Sequence, residues 1–229
     1  MTVITISHEL GSGGRAIGAA VAQELGLTYI DRQIVQQVAQ RLNMREEVVA
    51  LHDEHAEGPV GQILHALAEA PMLFLGAPPL EPDLRVHEAT CHQATRTAII
   101  AAARSNLALI AGHGANFALA DYLGVMNVFV YAPVERRAIR VAAREGISFE
   151  EARHEVARSD QSRVGYIQHR YHQRWQDPTH YHLMLNTAAL SEDHCTEIIA
   201  AAWRRGSFGP FRPQPQPTRL HYGPVLRQL

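Results

Sequence analysis

The run Gly11-Ser12-Gly13-Gly14-Arg15 is the chain's clearest chemical signal. Glycine lets a backbone curl until several N–H groups point at one spot, and such a concavity holds anions. A helix starting at the turn adds partial positive charge. Arg15 adds a full charge on a planar fork that matches phosphate oxygens. The segment reads as a nucleotide-phosphate cradle made by Gly11, Ser12, Gly13, Gly14, Arg15 and Ala16. On these residues alone a simple tight turn stands beside it. Aligned on Gly14-Arg15, the pattern G-x-x-x-x-G-K-[ST] would need Gly at Glu9, Lys at Arg15 and Ser or Thr at Ala16, and the chain has none of them. The missing hydroxyl at Ala16 removes the usual protein ligand for Mg²⁺, leaving Ser12, a carboxylate elsewhere, or water to hold a metal. A dinucleotide fingerprint is weaker, because Gly11-x-Gly13 lacks a third glycine at position 16.

All 21 basic residues are arginine, so Schiff-base chemistry on lysine is excluded and any permanent phosphate-binding cation must be a guanidinium. Arg137, Arg140 and Arg144 have helical spacing and share a face, which reads as a set of phosphate cations or as a solvated helix surface. Asp160 and Arg163 are three apart, so on a helix they can pair. Asp31 can cap the helix that follows it or face a substrate, and the two roles are compatible. His169, His172, His180 and His182 crowd together, but no cysteine or acid completes a zinc spacing, so they read as surface or packing residues.

These residues need a scaffold, and the pattern supplies one. Thr2–Ile6 is short, β-branched and apolar, a buried first strand. Ile17, Val21 and Leu25 mark a helix ended by Gly26. Residues 28–30 form a short strand before Asp31, and Ile34, Val38 and Leu42 mark the next helix. Residues 58–83 are rich in Pro and Gly, hold the island Met72–Leu75 and read as an irregular insertion or mobile substrate lobe. A long helix covers about 85–105, and Leu107–Ala111 and Asn127–Tyr131 are core strands. Ser148 and Glu151 form a capping box. Leu183–Leu185 is the last strand, before a helix from about 191 to 205. Alternating strands and helices imply a mainly parallel α/β sheet flanked by helices. Ligands on such sheets sit at the strands' carboxyl ends, where Ser7–Arg15, Asp31-Arg32 and Gly112–Asn116 all fall.

Five segments together resemble the cytidylate-kinase-like family of bacterial P-loop proteins. They are Ile4–Ser7 leading into Gly11–Ile17; Tyr29-Ile30-Asp31-Arg32; Gly112–Phe117; Val128–Arg137; and Arg144–Ser148 through Asp160, Arg163 and Tyr166 to Trp175, Asp177-Pro178 and Leu185-Asn186-Thr187. The resemblance spans roughly residues 2–205 and implies a P-loop NTPase-like domain over 1–205, with a monophosphate-binding insertion at about 44–84 and a helical lid at about 136–178. It implies transfer of the ATP γ-phosphate to CMP, dCMP or a related monophosphate with Mg²⁺. Ser12–Arg15 would cradle the donor; Asp31, Arg32, His113 and Asn116, with His8, would face the acceptor; Arg137, Arg140, Arg158, Asp160 and Arg163 would close over the transferring group. The family usually carries Arg where this chain has His8 and His113, and often Glu where it has Ala16. These departures put a catalytically weak or inactive nucleotide sensor beside the kinase reading.

The totals set the remaining bounds. A formal charge of −2 argues against broad nucleic-acid or membrane binding. No run approaches the ~18 apolar residues of a membrane span. With no evident signal peptide, the expected location is the cytoplasm. Cys91 and Cys195 allow one disulfide but fit two buried thiols better. The tail, 206–229, holds five of the 12 prolines and reads as an extended arm, either solvated or wrapped around a second subunit in a homo-oligomer.

Overall fold

The computed structural model describes residues 3–44, 46, 49, 84–104 and 107–214. The insertion expected at about 44–84 falls almost wholly outside the described residues, as does the tail beyond 214. The elements run β1 (Val3–His8), α1 (Gly14–Leu25), β2 (Thr28–Ile30), α2 (Gln33–Leu42), α3 (Leu84–Arg104), β3 (Ala108–Ala111), α4 (Ala115–Ala118), β4 (Tyr122–Leu123), β5 (Val125–Tyr131), α5 (Val134–Glu145), α6 (Phe149–Tyr171), a 3₁₀ turn (Pro178–His180), β6 (Leu183–Asn186), α7 (Glu192–Arg205) and β7 (Arg212–Pro213).

Five strands form one parallel sheet in the order β2-β3-β1-β5-β6. Every residue of β1 is buried, as a strand covered on both faces requires. One face packs Ile17, Val21, Cys195 and Ile199 from α1 and α7. The other packs Ile34, Val38, Ile99 and Ala103 from α2 and α3. Fully burying each large aliphatic side chain stabilises the fold by roughly 1.5–3 kcal/mol. Both cysteines are buried free thiols, and burial is the largest cause pushing each thiol's pKa up.

The long elements match the hydrophobic periodicity, and the differences lie at edges. The strand expected from Leu107 begins at Ala108, because Leu107 takes φ 62° and turns outward. The capping box forms: Glu151 N–H donates to Ser148 Oγ at 3.2 Å, and Ser148 N–H donates to Glu151 Oε2 at 2.9 Å. Past α7 the chain doubles back over its own domain. Phe208 packs on the sheet cluster and meets His182 edge-on. Phe211 stacks on Tyr122 with centroids 4.8 Å apart, and β7 pairs antiparallel with β4. Gly124 permits this crossing, since a Cβ there would stand 2.5 Å from the Phe211 backbone nitrogen.

Candidate functional site

The turn after β1 is shaped by glycines whose side-chain space is already occupied. Gly11 has φ 78°, and a Cβ there would meet the Arg137 carbonyl at 2.7 Å. Gly13 has φ 84°, and a Cβ would meet Glu192 Oε1 at 2.5 Å. Gly14, the first residue of α1, lies under His8, whose Cβ would be 2.3 Å from an added methyl. Ser12 is fully buried; its N–H and its hydroxyl both donate to the Glu9 carbonyl, at 3.1 and 2.8 Å. From the far side the Thr187 hydroxyl donates to the Ser12 carbonyl at 2.8 Å, which fixes the bend.

A cavity of about 450 Å³ opens over this turn. It is lined by Gly11, Gly13, Gly14 and Ala16, by His8, and by four arginines, Arg15, Arg140, Arg144 and Arg163. Such a cleft suits a polyanion: N–H groups at a helix start face several guanidinium groups. Arg140 is aimed by donating to Thr187 Oγ1 at 2.8 Å, to the Thr187 carbonyl at 2.7 Å and to the Gly11 carbonyl at 3.3 Å. Arg163 is 1% exposed; it donates to the Ser159 hydroxyl and lies over the Trp175 ring, 5.8 Å from its centre.

Arg137 takes a different place from its helical neighbours. It is 2% exposed and lies beneath the cradle instead of lining the cavity. Its Nε donates to the Ala132 carbonyl at 2.8 Å and pairs with Glu9 Oε2 at 3.1 Å. Its terminal nitrogens clamp both oxygens of Asp160, at 3.0 and 2.7 Å. The pair expected between Asp160 and Arg163 is therefore replaced: Asp160 is held by Arg137 across two helices, and Arg163 reaches Ser159 one turn back on its own helix. Glu9 also accepts from Gln176 Nε2 at 2.9 Å and from Ala132 N–H at 3.2 Å. Burial, the largest cause, raises the Glu9 pKa above its ordinary 4.5, with Arg137 pulling the other way. This network ties cradle, α5 and α6 into one unit.

The β2–β3 side carries a second cluster. Asp31 Oδ2 pairs with Arg15 Nε at 3.2 Å, and its carbonyl meets His113 Nε2 at 2.9 Å. Gly112, His113 and Gly114 all take positive φ, which bends the chain sharply after β3 and points His113 at Asp31. His113 is 1% exposed. Burial and then the Asp31 charge raise the Tyr29 pKa to about 12, so Tyr29 stays neutral. Asn116 is buried and accepts from the Ser7 hydroxyl at 3.2 Å. Arg32 and Arg158 are exposed and do not line the cavity. The N-cap of α2 is Arg32, while the Asp31 carboxylate turns to Arg15.

Sequence reasoning named Glu9 only as a missing glycine and passed over Gln176 and Glu192. Glu9 carried one signal, an acid two residues ahead of Gly11 at the end of the first strand. Glu192 carried none, since an acid in a helix's first turn is common for electrostatic reasons alone.

Comparison with known proteins extends this geometry. Residues 3–189 match the cytidylate kinase-like family. A protein of Ignicoccus hospitalis named cytidylate kinase is 28% identical over 202 residues, which are 87% of this chain and 97% of that protein. A Methanopyrus kandleri cytidylate kinase is 38% identical over 80 residues, 35% of this chain and 42% of that one. Among solved structures, an uncharacterized protein from Eubacterium ventriosum superposes with TM-score 0.65 at 16% identity, covering 90% of this chain and 99% of its own. A shikimate kinase from Bacteroides thetaiotaomicron superposes with TM-score 0.50 at 13% identity, covering 89% and 98%. At such identities the two structures speak to the fold alone.

Proposed function

We propose, since this chain belongs to the cytidylate kinase-like family, that it transfers the γ-phosphoryl group of ATP to CMP, dCMP or a related nucleoside monophosphate. The observation that carries the reading is the cavity of about 450 Å³ in which the glycine turn meets Arg15, Arg140, Arg144 and Arg163 beside the Asp31–His113 cluster. In the reaction an oxygen of the acceptor phosphate attacks the γ-phosphorus. The bond from that phosphorus to the β–γ bridging oxygen breaks, and ADP leaves with the bond's electron pair. Such transfer asks the protein for alignment and charge neutralisation more than for covalent chemistry.

The chain's residues divide the task. Backbone N–H groups of Gly13 and Gly14 and the Arg15 fork receive the donor phosphates. Asp31 holds Arg15 by Nε, which leaves the two terminal nitrogens of Arg15 for phosphate oxygens. His113, with Asn116 and Arg32 nearby in sequence or space, faces the acceptor. Arg163 closes the cavity over the transferring group, while Arg140, anchored on Thr187, lines the β5–β6 side along the donor. Arg137 and Asp160 act through the cradle by holding it to α6.

Mg²⁺, which this class of reaction implies, does not fit a protein-anchored site here. Ala16 offers no hydroxyl, the Ser12 hydroxyl is buried on the Glu9 carbonyl, and no three His, Cys, Asp or Glu converge among the described residues. Those same observations favour one second reading, a sensor that binds nucleotide without turnover. Incubating the protein with ATP and, in turn, CMP, dCMP and UMP separates the two. ADP and a matching diphosphate in equal amounts support the kinase; saturable ATP binding with no diphosphate supports the sensor.

A further inference from the structure

Glu192 stands in the cavity with no role in the account above. It opens α7, directly after the Ser191 N-cap, and its carboxylate lies against Gly13 and lines the same space as Arg140 and Arg144. The other lining carboxylate, Glu9, is taken up by Arg137, Gln176 and the Ala132 N–H. Among the described residues, no hydrogen bond or ion pair engages the Glu192 carboxylate.

The sheet order decides what this carboxylate can meet. β2 and β3 lie on one side of β1 and bring Asp31 and His113; β5 and β6 lie on the other and lead to Arg140 and Glu192. A phosphate donor whose terminal phosphate faces Asp31 and His113 must send its nucleoside end toward Arg140, Arg144 and Glu192. A carboxylate repels phosphate oxygens but accepts hydrogen bonds from neutral O–H or N–H groups. We propose that Glu192 reads the nucleoside of the phosphate donor, accepting a hydrogen bond from a sugar hydroxyl or an exocyclic amine and disfavouring a bare polyphosphate. This inference rests on the cradle reading given above.

Calorimetric titration in EDTA tests it without turnover and without metal. ATP, 2′-deoxy-ATP, 3′-deoxy-ATP, ITP and inorganic triphosphate are titrated into the wild type, Glu192→Gln and Glu192→Ala. Glu192→Gln keeps an acceptor oxygen and loses the charge, so triphosphate tightens while ATP holds. Glu192→Ala loses both, so ATP weakens about tenfold and triphosphate tightens. The analogue whose affinity no longer responds to Glu192→Ala identifies the group that is read. An unchanged ratio of ATP to triphosphate affinity in both variants overturns the inference and leaves the cradle standing. Equal tightening of both ligands in Glu192→Ala also overturns it, showing repulsion alone. A wild type that binds neither ligand overturns the cradle reading and this inference together.

Discussion

Two arginines on opposite sides of the same glycine turn do opposite things. Arg137 is 2% exposed, with carboxylates of Glu9 and Asp160 on either side and backbone carbonyls around it. Arg15 keeps 46% of its side chain exposed and is held by Asp31 through one nitrogen. A guanidinium desolvated among fixed acids cannot exchange them for a substrate without a large penalty, so Arg137 serves the shape of the loop. A half-exposed one can take phosphate oxygens at little cost. Burial and partners separate the two roles, and residue type does not.

The largest expected effect tests the buried half. Arg137→Met leaves Glu9 and Asp160 facing each other without their cation, and should lower unfolding free energy by about 3–5 kcal/mol in denaturant titration. A loss near zero would make Arg137 a substrate cation after all and erase the contrast. Next comes Gly11→Ala, which forces a methyl to within 2.7 Å of the Arg137 carbonyl at φ 78°. It should cost about 1–3 kcal/mol and weaken ATP binding, because the two sides share that contact.

The Asp31–His113 side predicts a split. His113→Ala should raise the acceptor KM about tenfold, the loss of one hydrogen bond to a charged group, while ATP affinity stays fixed. Equal loss for both substrates would merge the two sides. The smallest effect is a slope. Burial raises the Glu9 pKa above 4.5, so the folded protein keeps a proton that the unfolded chain has lost. Unfolding free energy should therefore fall as pH rises from 4.5 through the folded pKa, then level off. Glu9→Gln should flatten that segment of the stability profile, and an unaltered slope would assign it to another group.

Much of this was legible in the sequence. β1 and α1 announced themselves through apolar periodicity, and the glycines between them marked the cradle. Burial was not legible: Arg137, Arg140 and Arg144 share a helical face, yet only Arg137 lies under the loop, where Gly11 lets its carbonyl approach. Asp160 and Arg163 had ideal spacing for a pair, but spacing cannot weigh a partner from another helix. β4 and β7 are two residues each, too short for any period. The tail's prolines indicated an extended chain, while Phe208 and Phe211 decided where residues 206–214 would lie.

One titration tests the central claim most directly: ATP into the wild type and into Arg15→Ala, followed by calorimetry. The account predicts saturable one-to-one binding by the wild type and about a hundredfold weaker binding by the variant. Equal affinity in the two proteins would contradict it, since a triphosphate indifferent to Arg15 is not lying in this cradle.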